Sequence, residues 1–322
     1  MKYRELGRTG IEVSEIGYGA WGIGGAQWGG ADDDESIQAL HRAIDLGVNL
    51  IDTALAYGEG RSERLVGQVV RDRSETIYVA TKVPPKNLTW PAPAGVPVEE
   101  VFPADYVRAC AERSLSNLGL ERIDVLQLHV WSDEWTDQGD WREAVEELRS
   151  AGKIGFFGVS INDHQPSNGV RLVQSGAADT VQVIYNVFDQ SPEDELFPGC
   201  REHGVGVIAR VPLDEGGLTG SIGPDTEFAE DDFRESYFRG DRKREIQERV
   251  QAIAADLGTS EDGLAETALR FVLSEPTVSA VIPGMRSLRN VERNAAVSDG
   301  RGVPDGWREK LHGHRWVRNF YR

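Results

Sequence analysis

Apolar runs of β-like character, regularly separated by helical stretches, constrain this chain more than any other feature of its sequence. The runs lie near Glu15–Gly17, Val48–Ile51, Ile77–Thr81, Ile123–His129, Gly155–Ser160, Thr180–Tyr185, Gly206–Arg210 and Ser279–Ile282. A parallel sheet made of such units covers its strands with helices, and a sheet of this many strands can close into a barrel. A further pair of runs, Tyr3–Leu6 and Ile11–Val13, predicts a short β-hairpin ahead of the first barrel strand. The expected fold class is α/β, a (β/α)8 TIM barrel. With 322 residues and no linker-like stretch, the chain reads as a single domain spanning residues 1–322.

The helices announce their ends. Asp33-Asp34-Glu35-Ser36 is an acidic start for a helix over Ile37–Leu46, Gly47 stands at its stop position, and Gly119 ends another helix in the same way. Three connections are longer than turns: Val83–Pro103 with its prolines, Val130–Asp140, and Val211–Asp241. All three follow strands, so they belong over the C-terminal face, where barrels of this kind gather reactive groups. Trp90, Trp131, Trp135, Phe233, Tyr237 and Phe238 either pack these loops down or, with Trp21 and Trp28, meet a substrate. The final run from Trp307 to Arg322 lies over the barrel mouth or against its outer wall.

Composition narrows the partners. Acidic residues outnumber basic ones by 53 to 35, a formal charge of -18, which repels nucleic acid and anionic lipid. The amino terminus has no apolar core of the signal-peptide kind, and no run is long enough to span a bilayer, so a cytoplasmic protein is expected. Cys110 and Cys200 have no second sulfur nearby and the histidines show no ligand spacing, so no metal site is expected.

Asp52, Tyr57, Lys82 and His129 each close or closely follow a strand-like run, which would bring four reactive side chains to one end of the barrel. A lysine ammonium stabilises a nearby phenolate and so lowers a tyrosine pKa, which would make Tyr57 a proton donor near neutral pH with Lys82 as its electrostatic partner. Asp52 would hold the ammonium charged, and His129 would direct a carbonyl oxygen toward the tyrosine. Such a set suits an oxygen that gains negative charge, as in hydride addition to a carbonyl. Taken singly, the aspartate could cap a helix and the tyrosine could be packing.

The segment Asp52-Thr53-Ala54-Leu55-Ala56-Tyr57-Gly58-Glu59-Gly60-Arg61-Ser62-Glu63 resembles the D-T-A-x-x-Y-G-x-G-x-S-E signature of the aldo-keto reductase superfamily. Thr81-Lys82, Leu128-His129, Ala151-Gly152-Lys153-Ile154, Gly158-Val159-Ser160, Val181-Gln182 and Ile282-Pro283-Gly284 follow in the family's order, so the resemblance runs along nearly the whole chain. It implies NADPH bound in extended form without a Rossmann domain, with Tyr57 as general acid and Asp52, Lys82 and His129 as its partners. It also implies cofactor contacts from Gly19 and Trp21 in the glycine-rich first loop, and from Ser160 and Gln182 at the nicotinamide carboxamide. The asparagine that usually follows the serine is Ile161 here, with Asn162 one place later. Arg210 stands where many members place an aromatic ring against the nicotinamide. Pro212, Leu213, Gly217 and Leu218 resemble the loop over the pyrophosphate. Gly284, Met285, Arg286, Asn290 and Asn294 match positions around the adenosine phosphate, Gly284 where some branches carry lysine. Arg286, with Arg289 and Arg293 nearby, is the natural partner of a 2′-phosphate, which favours NADP over NADH.

The implied reaction is reduction of an aldehyde, ketone or sugar carbonyl to an alcohol. Two other classes remain at this stage: a Schiff-base aldolase with Lys82 as nucleophile, and a slow-turnover nucleotide-binding sensor subunit. Neither the individual substrate nor the oligomeric state is written in the sequence.

Overall fold

The computed structural model describes residues 1–25 and 27–321; Arg322, which ends the aromatic and basic run, lies outside the described residues. Strands β1 (Tyr3–Glu5) and β2 (Glu12–Ser14) form the expected antiparallel hairpin. After them come β3 (Tyr18–Gly19), β4 (Leu50–Asp52), β5 (Tyr78–Val83), β6 (Ile123–Leu128), β7 (Ile154–Ser160), β8 (Thr180–Ile184), β9 (Gly206–Arg210) and β10 (Val278–Val281). These strands make one 8-stranded sheet in strict sequence order, every neighbour parallel. Parallel bridges from Ile16 to Val281 and from Gly19 to Gly284 join its two ends and complete the (β/α)8 barrel.

The first barrel strand begins later than expected. The backbone of Glu15–Gly17 bonds to Val281 (Val281 N to Glu15 O 2.9 Å, Gly17 N to Val281 O 2.8 Å), whereas Tyr18 and Gly19 pair with β4. The segment therefore serves two neighbours in turn, and Gly19 has to be bare: a Cβ there would stand 2.7 Å from the Ile282 carbonyl oxygen.

The interior is layered by the period of two that strands impose on their side chains. Leu50, Ala80, Val125, Ile208 and Ala280 form a lower apolar layer, closed from below by Leu6 and Val13 of the hairpin region. Two residues further along three of those strands stand Asp52, Lys82 and Gln127, and β8 adds Gln182, all buried. A polar layer thus rests on an apolar plug, at the C-terminal end of the strands.

Helices Asp33–Asp45, Arg61–Asp72, Ala104–Leu118 and Trp141–Ser150 follow β3 to β6, and Val170–Ser175, Leu196–His203, Leu264–Leu273 and Leu288–Ala296 continue the ring. Asp32 caps the first, accepting from the Glu35 amide at 2.9 Å, and Gly47 follows its end with φ 92°. The long loops carry short helices, Val98–Val101 and Phe233–Tyr237. Trp131 and Trp135 lie in the core, edge to face at 5.8 Å, and the Trp135 indole donates to the Val96 carbonyl at 2.8 Å, which ties two of the loops together. Their role is packing. No described helix is long and apolar enough to cross a membrane.

Candidate active site

Lys82 is wholly buried at the centre of the polar layer, and its ammonium is satisfied from three sides. Its Nζ donates to Asp52 Oδ1 at 2.5 Å, to the Thr53 carbonyl at 2.7 Å and to the Tyr57 hydroxyl at 3.3 Å. The other Asp52 oxygen accepts from Gln182 Nε2 at 2.7 Å and Gln127 Nε2 at 3.3 Å, so the carboxylate is held as firmly as the ammonium. Gln127 was not singled out in the sequence. The signal available for it was position: it stands two residues before His129, and so faces the same side of β6.

Tyr57 and His129 are the half-buried members of the set, with ring centroids 5.7 Å apart and planes near perpendicular. Trp90 closes on His129 at 5.9 Å, and Trp21 stacks beside Tyr57 at 6.2 Å. The four residues read from strand ends therefore do converge, but the electrostatics differ from expectation. Burial pushes the Tyr57 phenol above the usual tyrosine range, and the Lys82 charge draws it back only in part. The lowering expected from the sequence is thus reversed, because removing a phenolate from water costs more than one ion-paired ammonium returns. For Lys82 burial works against the charge, yet the Asp52 carboxylate, with the hydrogen bonds to Asp52 and Tyr57, outweighs it and its pKa is raised. A lysine kept charged is a poor imine-forming nucleophile. Burial, with the Lys82 and Arg210 charges behind it, holds the His129 imidazole well below its ordinary range, hence neutral. Its Nδ1 is buried without a partner.

Above this floor runs a cavity of about 1830 Å³. Its wall includes Gly19, Trp21, Asp52, Tyr57, His129, Ser160, Asn162, Gln182, Arg210, Pro212, Leu213, Gly284, Met285, Arg286, Asn290 and Asn294. Gly217 and Leu218, expected beside them, are turned away. Leu218 is buried in the core, and a Cβ on Gly217 would meet the Asp214 carboxylate at 2.7 Å, so this end of the loop packs inward.

Several of the lining side chains are already engaged. The Asn162 amide exchanges hydrogen bonds with the Ala92 backbone at 3.1 and 3.2 Å, which binds the loop after β5 to the end of β7. Ile161, in place of the usual asparagine, packs in the core. Arg210 Nη2 donates to the Ile161 carbonyl at 3.0 Å and to Asp163 at 2.7 Å, so the guanidinium is anchored through an ion pair. Arg286 donates to the Trp28 and Gly29 carbonyls at 2.5 and 3.0 Å. Arg289 and Arg293 also line the cavity, exposed, and no side chain would be crowded at Gly284. Sequence reasoning missed Asp163 and Glu215 on this wall, because neither was singled out by a motif; Tyr321 comes from the C-terminal run, expected over the barrel mouth or against its outer wall, and it lines the cavity.

The donor set suits an extended dinucleotide. The cavity wall presents a neutral imidazole, a protonated phenol and the Gln182 amide, together with Arg286, Arg289 and Arg293 from one stretch of chain. The chain matches the profile of the Aldo/keto reductase family over residues 15–304. It is 32% identical over 312 residues to the aldo-keto reductase YhdN of Bacillus subtilis, covering 91% of this chain and 87% of that protein. To the NADH-specific methylglyoxal reductase of Escherichia coli it is 28% identical over 309 residues, 92% of this chain and 93% of the other. Among solved structures, the holo form of an aldo-keto reductase from Bacillus halodurans superposes with a TM-score of 0.77 at 26% identity, covering 98% and 96% of the two chains. The glycerol dehydrogenase of Gluconobacter oxydans gives 0.76 at 28%, covering 97% and 94%. Fold, site and kinship agree: this chain belongs to the aldo/keto reductase family of nicotinamide-dependent oxidoreductases.

Proposed function

We propose that the protein is a cytoplasmic, NADPH-dependent carbonyl reductase, the whole chain acting as one unit, that converts an aldehyde, a ketone or a sugar carbonyl to the alcohol. The observation that carries this reading is the Lys82 ammonium, joined at once to Asp52 at 2.5 Å and to the Tyr57 hydroxyl at 3.3 Å beneath an open cavity. A nicotinamide dinucleotide held on this wall would supply the hydride for the carbonyl carbon. Tyr57 is the proton donor: its phenol stays protonated at neutral pH, and the adjacent ammonium favours the phenolate left behind. A neutral His129, whose ring lines the cavity beside Tyr57, orients the carbonyl oxygen toward that hydroxyl. Asp52, gripped by Gln182 and Gln127, keeps Lys82 charged. Ser160 and Gln182 would face the nicotinamide carboxamide, and Pro212 and Leu213 the diphosphate.

The preference for NADPH rests on Arg286, Arg289 and Arg293, which line the cavity in a protein of net charge -18. The test is a titration with NADPH and NADH followed by nucleotide consumption on a panel of aldehydes, ketones and sugars. Tight NADPH binding with turnover on a carbonyl is expected. Absence of binding to either nucleotide would refute the reading.

A further inference from the structure

The loop after β9 holds three non-glycine residues in left-handed backbone: Val211 at φ 55°, Asp214 at 53° and Glu215 at 55°. Such residues persist only where their surroundings hold them, and they gather at ligand clamps. Here each is held. The Val211 carbonyl accepts from Asn186 Nδ2 at 2.9 Å and from the Asp214 amide at 3.1 Å. The buried Asp214 carboxylate takes the Tyr237 hydroxyl at 3.1 Å and pairs with Arg318. Glu215 accepts the Tyr321 hydroxyl at 2.6 Å. Arg318 and Tyr321 both belong to the segment that follows the helix Trp307–His312, so the end of the chain secures two consecutive strained residues.

Tyr321 is itself fixed, its ring lying 4.9 Å from Tyr237 and 5.8 Å from both Phe233 and His164. Glu215 and Tyr321 line the same cavity as Arg210, Pro212 and Leu213. Four groups from four places face the Glu215 carboxyl: Tyr321 of the closing segment, Asp214 of its own loop, Arg210 of β9 and Asp163 beyond β7. Burial is the largest influence and pushes the carboxyl up to about 7; Asp214 and Asp163 act in the same direction, while the Tyr321 hydrogen bond and Arg210 oppose them.

We propose that Tyr321 is a positioning residue for dinucleotide binding: its hydrogen bond holds Glu215 on the cavity wall, where that carboxyl makes nucleotide affinity depend on pH. The proposal rests on the nucleotide-binding reading above. A dinucleotide carries a diphosphate, which an uncharged carboxyl tolerates and a carboxylate repels. Binding therefore favours protonated Glu215, so affinity is greatest below its titration and declines as pH rises through it.

The experiment measures the Kd for NADH, by its fluorescence, on the full-length protein between about pH 6 and about pH 8.5, for wild type, Glu215→Gln and Tyr321→Phe. Wild type is expected to weaken above neutrality with a slope of at most about tenfold per pH unit. Glu215→Gln should bind with little pH dependence across the range. Tyr321→Phe keeps the ring packing but loses the bond that favours the carboxylate, so its bend should move to higher pH. If Tyr321 merely supported the fold, the whole curve would drop with the bend unmoved, and that outcome overturns the proposal. So does measurable wild-type binding that ignores pH. A wild type that binds neither NADH nor NADPH at any pH refutes the nucleotide reading itself, and the proposal with it.

Discussion

At the scale of single residues, the site is governed by how few groups must satisfy one buried charge. Lys82 spends its donors on Asp52, Thr53 and Tyr57, and of these partners the phenol is the half-buried proton donor that meets the cavity, beside the buried Asp52 carboxylate. Tyr57→Phe is expected to lower carbonyl reduction by at least about a hundredfold, the low end of what a positioned acid contributes, with NADPH affinity within a few-fold. Rate and binding measured on the same preparation decide it; a parallel loss of both would assign Tyr57 to binding instead. Arg286→Ala is expected to weaken NADPH far more than NADH, since only the former carries a 2′-phosphate for a guanidinium to grip. Arg286 also ties down the Trp28 and Gly29 carbonyls. An equal loss for both nucleotides would mean that this tether, rather than phosphate recognition, is its work.

At the scale of elements, the barrel depends on helices coming close enough to seal its wall. Helices Arg61–Asp72 and Ala104–Leu118 meet at Gly67, where a Cβ would stand 2.0 Å from the Leu118 carbonyl oxygen. Backbone cannot yield there as a flexible side chain would. Gly67→Ala is therefore expected to cost about 1–3 kcal/mol of stability, the usual range for overpacking, despite alanine's better helix propensity. Denaturant unfolding measures it, and a variant as stable as wild type would show that the two helices can part freely. The neighbouring turn sends Tyr57 to the site, so the same change is a probe of how rigidly that turn is carried. In the loops, the tryptophans divide by burial: Trp131 and Trp135 act as internal struts, whereas Trp21 and Trp90 stand beside Tyr57 and His129.

For the whole molecule, a net charge of -18 opposes compaction through self-repulsion, while exposed pairs such as Arg42–Glu292 and Arg108–Glu147 offer little in return. Both are screened by salt, but an exposed pair contributes little, whereas the excess charge acts across the whole surface. Tm is expected to rise as ionic strength goes from about 0.01 M to about 0.15 M, over which the screening length shortens several-fold. A fall in Tm would mean that the surface pairs outweigh the excess charge. The sequence by itself determined the alternating elements, the hairpin, and the arrival of Asp52, Tyr57, Lys82 and His129 at strand ends, because strand period and helix stop signals are local properties of the chain. Only the tertiary structure decided the rest. It placed Gln127 and Gln182 on Asp52, engaged Arg210 with Asp163, turned Leu218 into the core, and brought Tyr321 to Glu215. It also set the direction in which Tyr57 titrates. Each of these depends on which distant groups share a neighbourhood and how much water they exclude, and neither quantity is written in any short stretch of sequence.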